Sequence, residues 1–169
     1  VSLNTAVIKN KNLINEAAKI FGSSTIVISI ETIRNSDGKY LAYTDNGREY
    51  TGIDIIEWVK TVEDLGAGEI ILTSVDKDGT GEGPDYELIH KITSLISIPI
   101  IIHGGFGKKE HILKAFNNRS VDSISVASLL HYDFIKKYKM NSSNKEGNIE
   151  FLSNKRSFHT FDPISILNL

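Results

Sequence analysis

Two aspartates and three glycines, Asp76, Asp78, Gly79, Gly81 and Gly83, stand close together in the run LTSVDKDGTGEG at positions 72–83. They follow an apolar stretch of β type, Ile70 to Val75. A carboxylate at the C-terminal end of a strand can take or give a proton, and Asp78 is the candidate for that work. Glycine N–H groups can approach an anion such as phosphate with no Cβ in the way. On DKDGT alone, the commoner reading of Asp78 is a turn-forming or helix-capping aspartate. The junction recurs, however. PIIIHGGFGK at 99–108 has the same design, and SISVASLLH at 123–131 replaces glycine with small residues. Junctions of this kind on alternating β and α segments predict one face of a (β/α) barrel.

Those turns need strands and helices to hold them. Val1–Asn4 reads as the end of a strand. Asn12–Phe21 carries Leu13, Ala17, Ile20 and Phe21 at helical spacing, with Gly22 as a stop. Thr25–Ile30 is rich in β-branched residues and predicts a buried strand. Lys39–Thr44 and Arg48–Thr51 flank Asp45-Asn46-Gly47, a hairpin signal. Ile53–Leu65 repeats Ile56, Val59 and Val62 as a helix does and ends at Gly66. Glu69–Val75 predicts a strand, Asp85–Leu95 a helix with Pro84 near its first turn, and Ile98–Ile102 a strand. Lys108–Phe116 predicts a helix. Ser123–Val126 predicts a short strand, with a helix after it to about Lys137. The β–α rhythm implies parallel strands with covering helices. Asn141–Gly147 is polar and reads as a linker, and Asn148–Leu169 forms the tail.

Composition narrows the function classes. The chain has 169 residues, enough for one domain with a core. It is 40% hydrophobic and 24% charged, with a formal net charge of −2. That balance argues against a broad nucleic-acid or anionic-membrane surface. There is no cysteine, which excludes disulfides, thiolate metal sites and cysteine nucleophiles. No apolar run approaches a membrane span, and no signal peptide is visible, so a cytoplasmic setting is expected. His90, His111, His131 and His159 show no metal-ligand spacing, and neither a metal nor another cofactor is expected. Lysines and arginines are scattered over solvated faces. The strand positions fall short of the eight that a closed barrel of about 250 residues needs. The abrupt start at VSLN predicts a portion lacking its N-terminal part.

The segments VSLNTAV (1–7), FGSSTIVISIE (21–31), YTDNGREYTG (43–52), GAGEIILTSVDKDGTGEG (66–83), PIIIHGGFGK (99–108) and VASLLH (126–131) come in a familiar order and spacing. Together they resemble the cyclase subunit of imidazole glycerol phosphate synthase. The resemblance covers nearly everything from Val1 to His131, and DKDGT and GGFGK are its most specific parts. It implies an α/β fold, the C-terminal part (end of strand 4 to strand 8) of a (β/α)8 TIM barrel, with a β-hairpin in the loop after the fifth strand. Residues 1–140 would be that portion of barrel and 141–169 linker and tail.

The resemblance also implies an activity. The family's cyclase receives ammonia through the barrel from a partner glutaminase, as a heterodimer. It joins the ammonia to a phosphoribulosyl-formimino carboxamide ribonucleotide and releases imidazole glycerol phosphate and an aminoimidazole carboxamide ribotide. It is a lyase of histidine biosynthesis. Two aspartates act as general acid and base, and Asp78 matches one of them. The other belongs to the first strand, so this chain alone is expected to be inactive. One substrate phosphate would meet Gly79, Gly104, Gly105, Ala127 and Ser128. Asn4 and Thr5 remain from the other phosphate site. Glu31, Asn46, Thr73 and His103 match positions near the substrate. Glu69, at the start of its strand, matches a charge at the ammonia entrance, and Trp58 reads as packing. No nucleic acid or membrane partner is implied.

Alternative readings stand beside these. Asp76 reads as a supporting carboxylate. Gly105 and Gly107 fit a tight strand-to-helix turn as well as phosphate. Ser128 fits a helix cap equally well. His103 reads as an ordinary hydrogen-bonded histidine or as a substrate contact. Glu31, where the cyclase has aspartate, His103, where it has serine, and the unusual tail resemble paralogues that supply ammonia for amidating a surface-polysaccharide sugar. A non-catalytic phosphate-binding half-barrel is the third possibility.

Overall fold

In the computed structural model, residues 1–117, 121–137 and 160–169 are described. The expected linker at Asn141–Gly147, most of the tail and His159 lie outside them. The strands are β1 (Ser2–Leu3), β2 (Val27–Arg34), β3 (Tyr40–Thr44), β4 (Glu49–Asp54), β5 (Glu69–Ser74), β6 (Ile100–His103) and β7 (Ser123–Ser125). The helices are α1 (Thr5–Lys9), α2 (Asn12–Phe21), α3 (Ile55–Asp64), α4 (Tyr86–Thr93), α5 (Lys109–Phe116) and α6 (Ser128–Lys137). The fold is α/β, with all seven strands in one mixed sheet.

Its parallel part runs β1–β2–β5–β6–β7. Strand β2 shares one edge between two partners. Its first half pairs with β1 in parallel, and Glu31–Arg34 pair antiparallel with β3. That second partner is why β2 runs four residues past Ile30, where the apolar run ends in the sequence. The β3–β4 turn holds Asp45, Asn46 and Gly47 all at positive φ, a conformation that Asp and Asn tolerate and Gly prefers. Tyr43 and Tyr50 pack edge-on beside it with ring centroids 5.7 Å apart.

Burial alternates along the central strands. Ile28 and Ile30 of β2, Ile70 and Leu72 of β5, and Ile100 and Ile102 of β6 are buried under the helices. Trp58, Val59 and Val62 of α3 and Leu88, Ile89 and Ile92 of α4 meet them in one core, where Trp58 is indeed packed. The other face of each strand carries Ser29 and Glu31, Ile71 and Thr73, and His103, and these face a cavity. Asp54 caps α3, accepting the Ile56 N–H at 2.8 Å. Asp85 caps α4, accepting the Leu88 N–H at 3.0 Å, so Pro84 lies just outside that helix.

Asp85 has a second task. Its other oxygen accepts the Tyr40 hydroxyl at 2.8 Å, tying β3 to the start of α4. Burial first, then that bond, pushes the Tyr40 phenol well above its ordinary pKa. Arg34 and Lys91 lie over the Tyr40 ring and both pair with Glu87. Asp85→Ala removes a cap and strands a buried hydroxyl, and urea unfolding should show a loss of about 2–4 kcal/mol. Asp85→Asn preserves the cap and should cost no more than about 1 kcal/mol.

Candidate active site

Strand register builds the site. Glu31 of β2 stands beside Thr73 of β5, Thr73 beside His103 of β6, and His103 beside Ser125 of β7. These four form one row at the C-terminal ends of the parallel strands. The loops that leave those ends rise above the row. The chain after β5 turns at once, with the Lys77 and Asp78 N–H groups donating to the Ser74 carbonyl at 3.1 and 3.0 Å. That turn lifts the Asp78 side chain over the row. Among the described residues no hydrogen-bond donor meets its carboxylate. Asp76 instead accepts the Arg34 N–H at 2.7 Å, which fastens the loop to the end of β2 and fits the supporting role.

Two cavities meet at Asp78. The smaller, about 30 Å³, lies between the Asp78–Gly81 turn, the His103–Phe106 turn and Ser125–Ser128, with Phe161 of the tail as a further wall. The larger, about 300 Å³, is lined by Ser29, Glu31, Asn46, Ile71, Thr73, Val75, Asp78, His103 and Ser125. Asp78, His103 and Ser125 belong to both. Thr73 Oγ1 and His103 Nδ1 are hydrogen-bonded at 3.2 Å inside the larger one.

The small cavity is suited to an anion. The N–H groups of Gly79 and Gly105 are donated to nothing among the described residues, and Ser128 opens α6, where a first-turn N–H has no helical partner. Ala127 holds the turn, its carbonyl accepting from Leu130 and His131 at 3.2 and 2.9 Å. Ser128 is thus the first helical residue rather than the cap. Gly105 has φ +90, and a Cβ there would strike the Gly83 carbonyl oxygen. Gly79 has φ +73 but open space around it. The tight-turn reading of Gly105 therefore holds, and its N–H, unpaired among the described residues, is compatible with the anion reading.

Glu31 is held at both oxygens. Asn4 Nδ2 donates to one at 2.9 Å, and the Gly47 N–H donates to the other at 2.9 Å. The carboxylate so joins the end of β1, the end of β2 and the hairpin turn that carries Asn46. The longer glutamate side chain reaches all of them.

The structure thus gathers Asp78, Gly79, His103, Gly104, Gly105, Ala127 and Ser128 around the small cavity, and Glu31, Asn46 and Thr73 around the large one. Asn4 touches the site through Glu31, and Thr5 follows it as the first residue of α1. Glu69 begins β5 and so lies at the other end of the sheet, away from both cavities. Sequence reasoning did not single out Ser125 or Phe161. Ser125 was accessible through register with His103. Phe161 had no local signal, because its place depends on how the chain returns from a distant segment.

A family model described as histidine biosynthesis protein matches residues 1–136. This chain belongs to that family. Within it, the chain is 43% identical over 149 residues to the imidazole glycerol phosphate synthase subunit HisF of Hydrogenobaculum sp. (strain Y04AAS1). The match takes in 88% of this chain and 59% of that relative, so the chain spans less than two thirds of the relative's length. The matched family region contains both cavities except for Phe161, which lies past its end. Among the described residues no group of three or more His, Asp or Glu is placed to hold a metal ion, and no helix is long and apolar enough to cross a membrane.

The two glycines separate strain from contact. Gly79→Ala should cost about 1 kcal/mol in urea unfolding, the price of a left-handed alanine in open space. Gly105→Ala adds a collision with backbone and should cost more than about 2 kcal/mol.

Proposed function

We propose that this chain is the C-terminal portion of a (β/α)8 barrel cyclase of histidine biosynthesis, with the barrel portion at 1–140 and linker and tail at 141–169. The reaction is the ammonia-dependent closure of an imidazole ring. A phosphoribulosyl-formimino carboxamide ribonucleotide yields imidazole glycerol phosphate and an aminoimidazole carboxamide ribotide. A glutaminase subunit supplies the ammonia, entering at the end of the sheet where Glu69 stands. The setting is the cytoplasm. The observation that carries this reading is the sharing of Asp78 between a glycine-lined anion cavity and a larger cavity that holds a second carboxylate, Glu31. Family membership and the relative's printed name support the choice of reaction.

In this reading one substrate phosphate lies against the Gly79, Gly105 and Ser128 N–H groups, beside Gly104 and Ala127. The body of the substrate fills the larger cavity between Thr73, His103 and Asn46. Asn4 and Thr5 belong to the second phosphate site. Ring closure needs a proton removed at one step and supplied at another. Asp78, open to the cavity and free of donors among the described residues, moves the proton on its side. Glu31, fixed by Asn4 and Gly47, presents its carboxylate from the opposite lip of the same cavity.

Two experiments test this. Sulfate or phosphate added to the chain should shift the amide resonances of Gly79, Gly105 and Ser128. Shifts confined to scattered surface lysines would reject the anion site. In the full-length protein, Asp78→Asn should lower turnover by about 10²–10⁴-fold with substrate binding retained. The 169-residue chain alone should turn nothing over. Robust cyclase turnover indifferent to Asp78→Asn would overturn the catalytic assignment. A full-length protein without cyclase turnover, whose deletion blocks amidation of a surface sugar, would transfer the function to the paralogue reading.

A further inference from the structure

The turn from Gly104 to Lys108, which joins β6 to α5, is pressed against its neighbours. A Cβ on Gly104 would lie 2.7 Å from the Ser74 carbonyl oxygen. The Gly105 carbonyl accepts the Gly83 N–H at 2.8 Å, and the Gly107 carbonyl accepts the Asp162 N–H at 2.7 Å. The Gly107 N–H donates to Nδ1 of His111 at 3.2 Å. His111 stands on the first turn of α5, three residues past Lys108. Lys108 is the N-cap residue of that helix, and its side chain makes no capping bond. At the position of His111 a Glu or Gln side chain often reaches back to an unpaired amide. Here an imidazole does so, one residue further out.

A backbone N–H can donate only to a ring nitrogen that carries a lone pair. The bond therefore requires the neutral ring with its proton on Nε2, and an imidazolium cannot accept it. Lys108, Glu110 and Lys114 surround the ring on its own helix and cap. From α4, the Tyr86 hydroxyl donates to the His111 carbonyl at 3.2 Å, and Lys114 lies over the Tyr86 ring. Gly83 backs the imidazole from the loop before α4. Burial first, then Lys108, lowers the His111 pKa, and Glu110 opposes them.

We propose that His111 is a positioning residue of the anion cavity: its neutral ring sets the shape of the Gly104–Gly107 turn, so that protonating it weakens oxyanion binding there. The inference rests on the anion site proposed above. The sign follows from linkage. A histidine whose folded pKa is depressed contributes its full stabilisation above the unfolded value of about 6.5, and loses it as pH falls toward the folded value. His103 lines the same cavity and makes its own contribution to anion binding there. A comparison of variants cancels that contribution.

Sulfate affinity, read from the Gly79, Gly105 and Ser128 amides, should be measured between about pH 5 and pH 8. His111→Gln keeps an acceptor and cannot titrate in this range. Native chain and variant should bind alike at the upper end, and the native chain should become about two- to fivefold weaker than the variant at the lower end. A ratio that stays flat, or a native chain that gains on the variant, overturns the proposal. In the native chain without sulfate, the Gly107 amide resonance should follow the titration of the His111 ring. An amide that ignores the ring removes the clamp, whether or not the variant folds. Sulfate that moves none of the three cavity amides at the upper pH rejects the anion site itself, and with it the coupling, while the Gly107 titration still reports on the clamp.

Discussion

The parallel register of β2, β5, β6 and β7 is the constraint on which the site depends. It places Glu31, Thr73, His103 and Ser125 in one row and fixes which face of each strand they occupy. A slip of one residue at any ladder would turn that strand's polar member toward the helices and an isoleucine or leucine toward the cavity. The core enforces the register. Ile28, Ile70 and Ile100 lie side by side across the ladders and are fully enclosed on the helix face. The chemistry of one face is thus specified by the packing of the other.

Polar links then convert a row of strand ends into a shaped mouth. Asp76 fastens the loop after β5 to Arg34, Glu31 fastens the hairpin turn and Asn4 to β2, and Asp85 joins Tyr40 to the start of α4. Each uses a carboxylate whose partners include backbone N–H groups or a hydroxyl, so loops from different strands are held by short hydrogen bonds. Asp78 is the acidic member of this set left without such a task among the described residues. Under the proposed reading it exchanges a proton, and a carboxylate with that task is best kept free of donors that would fix its charge.

Much of this was legible in the sequence because local signals and burial agreed. Glu69–Ser74 and Ile100–His103 declare themselves by β-branched runs that end at glycine turns, whereas Asp54 and Asp85, read as helical residues, are the caps that precede their helices. The hairpin followed from Asp45-Asn46-Gly47. What was not legible required partners far away in the chain. The extension of β2 through Glu31–Arg34 looks polar and broken until β3 is laid beside it. The short helix α1 has too few residues to show a period. The roles of Glu31 and His111 depend on backbone N–H groups of Gly47 and Gly107, and side-chain patterns carry no record of those.

The return of the tail to the glycine turns bears on how such a site can diversify. Asp162 meets Gly107, and Ile164 meets Leu129, through main-chain atoms. Seating of this kind is blind to which side chains the segment carries. Phe161 projects from it as one wall of the small cavity, and a Cβ at Gly81 would already crowd its ring. One face of the cavity is therefore exchangeable while the sheet that bears the row stays untouched. Selectivity could drift there by single substitutions, with the scaffold serving as an unchanging mould.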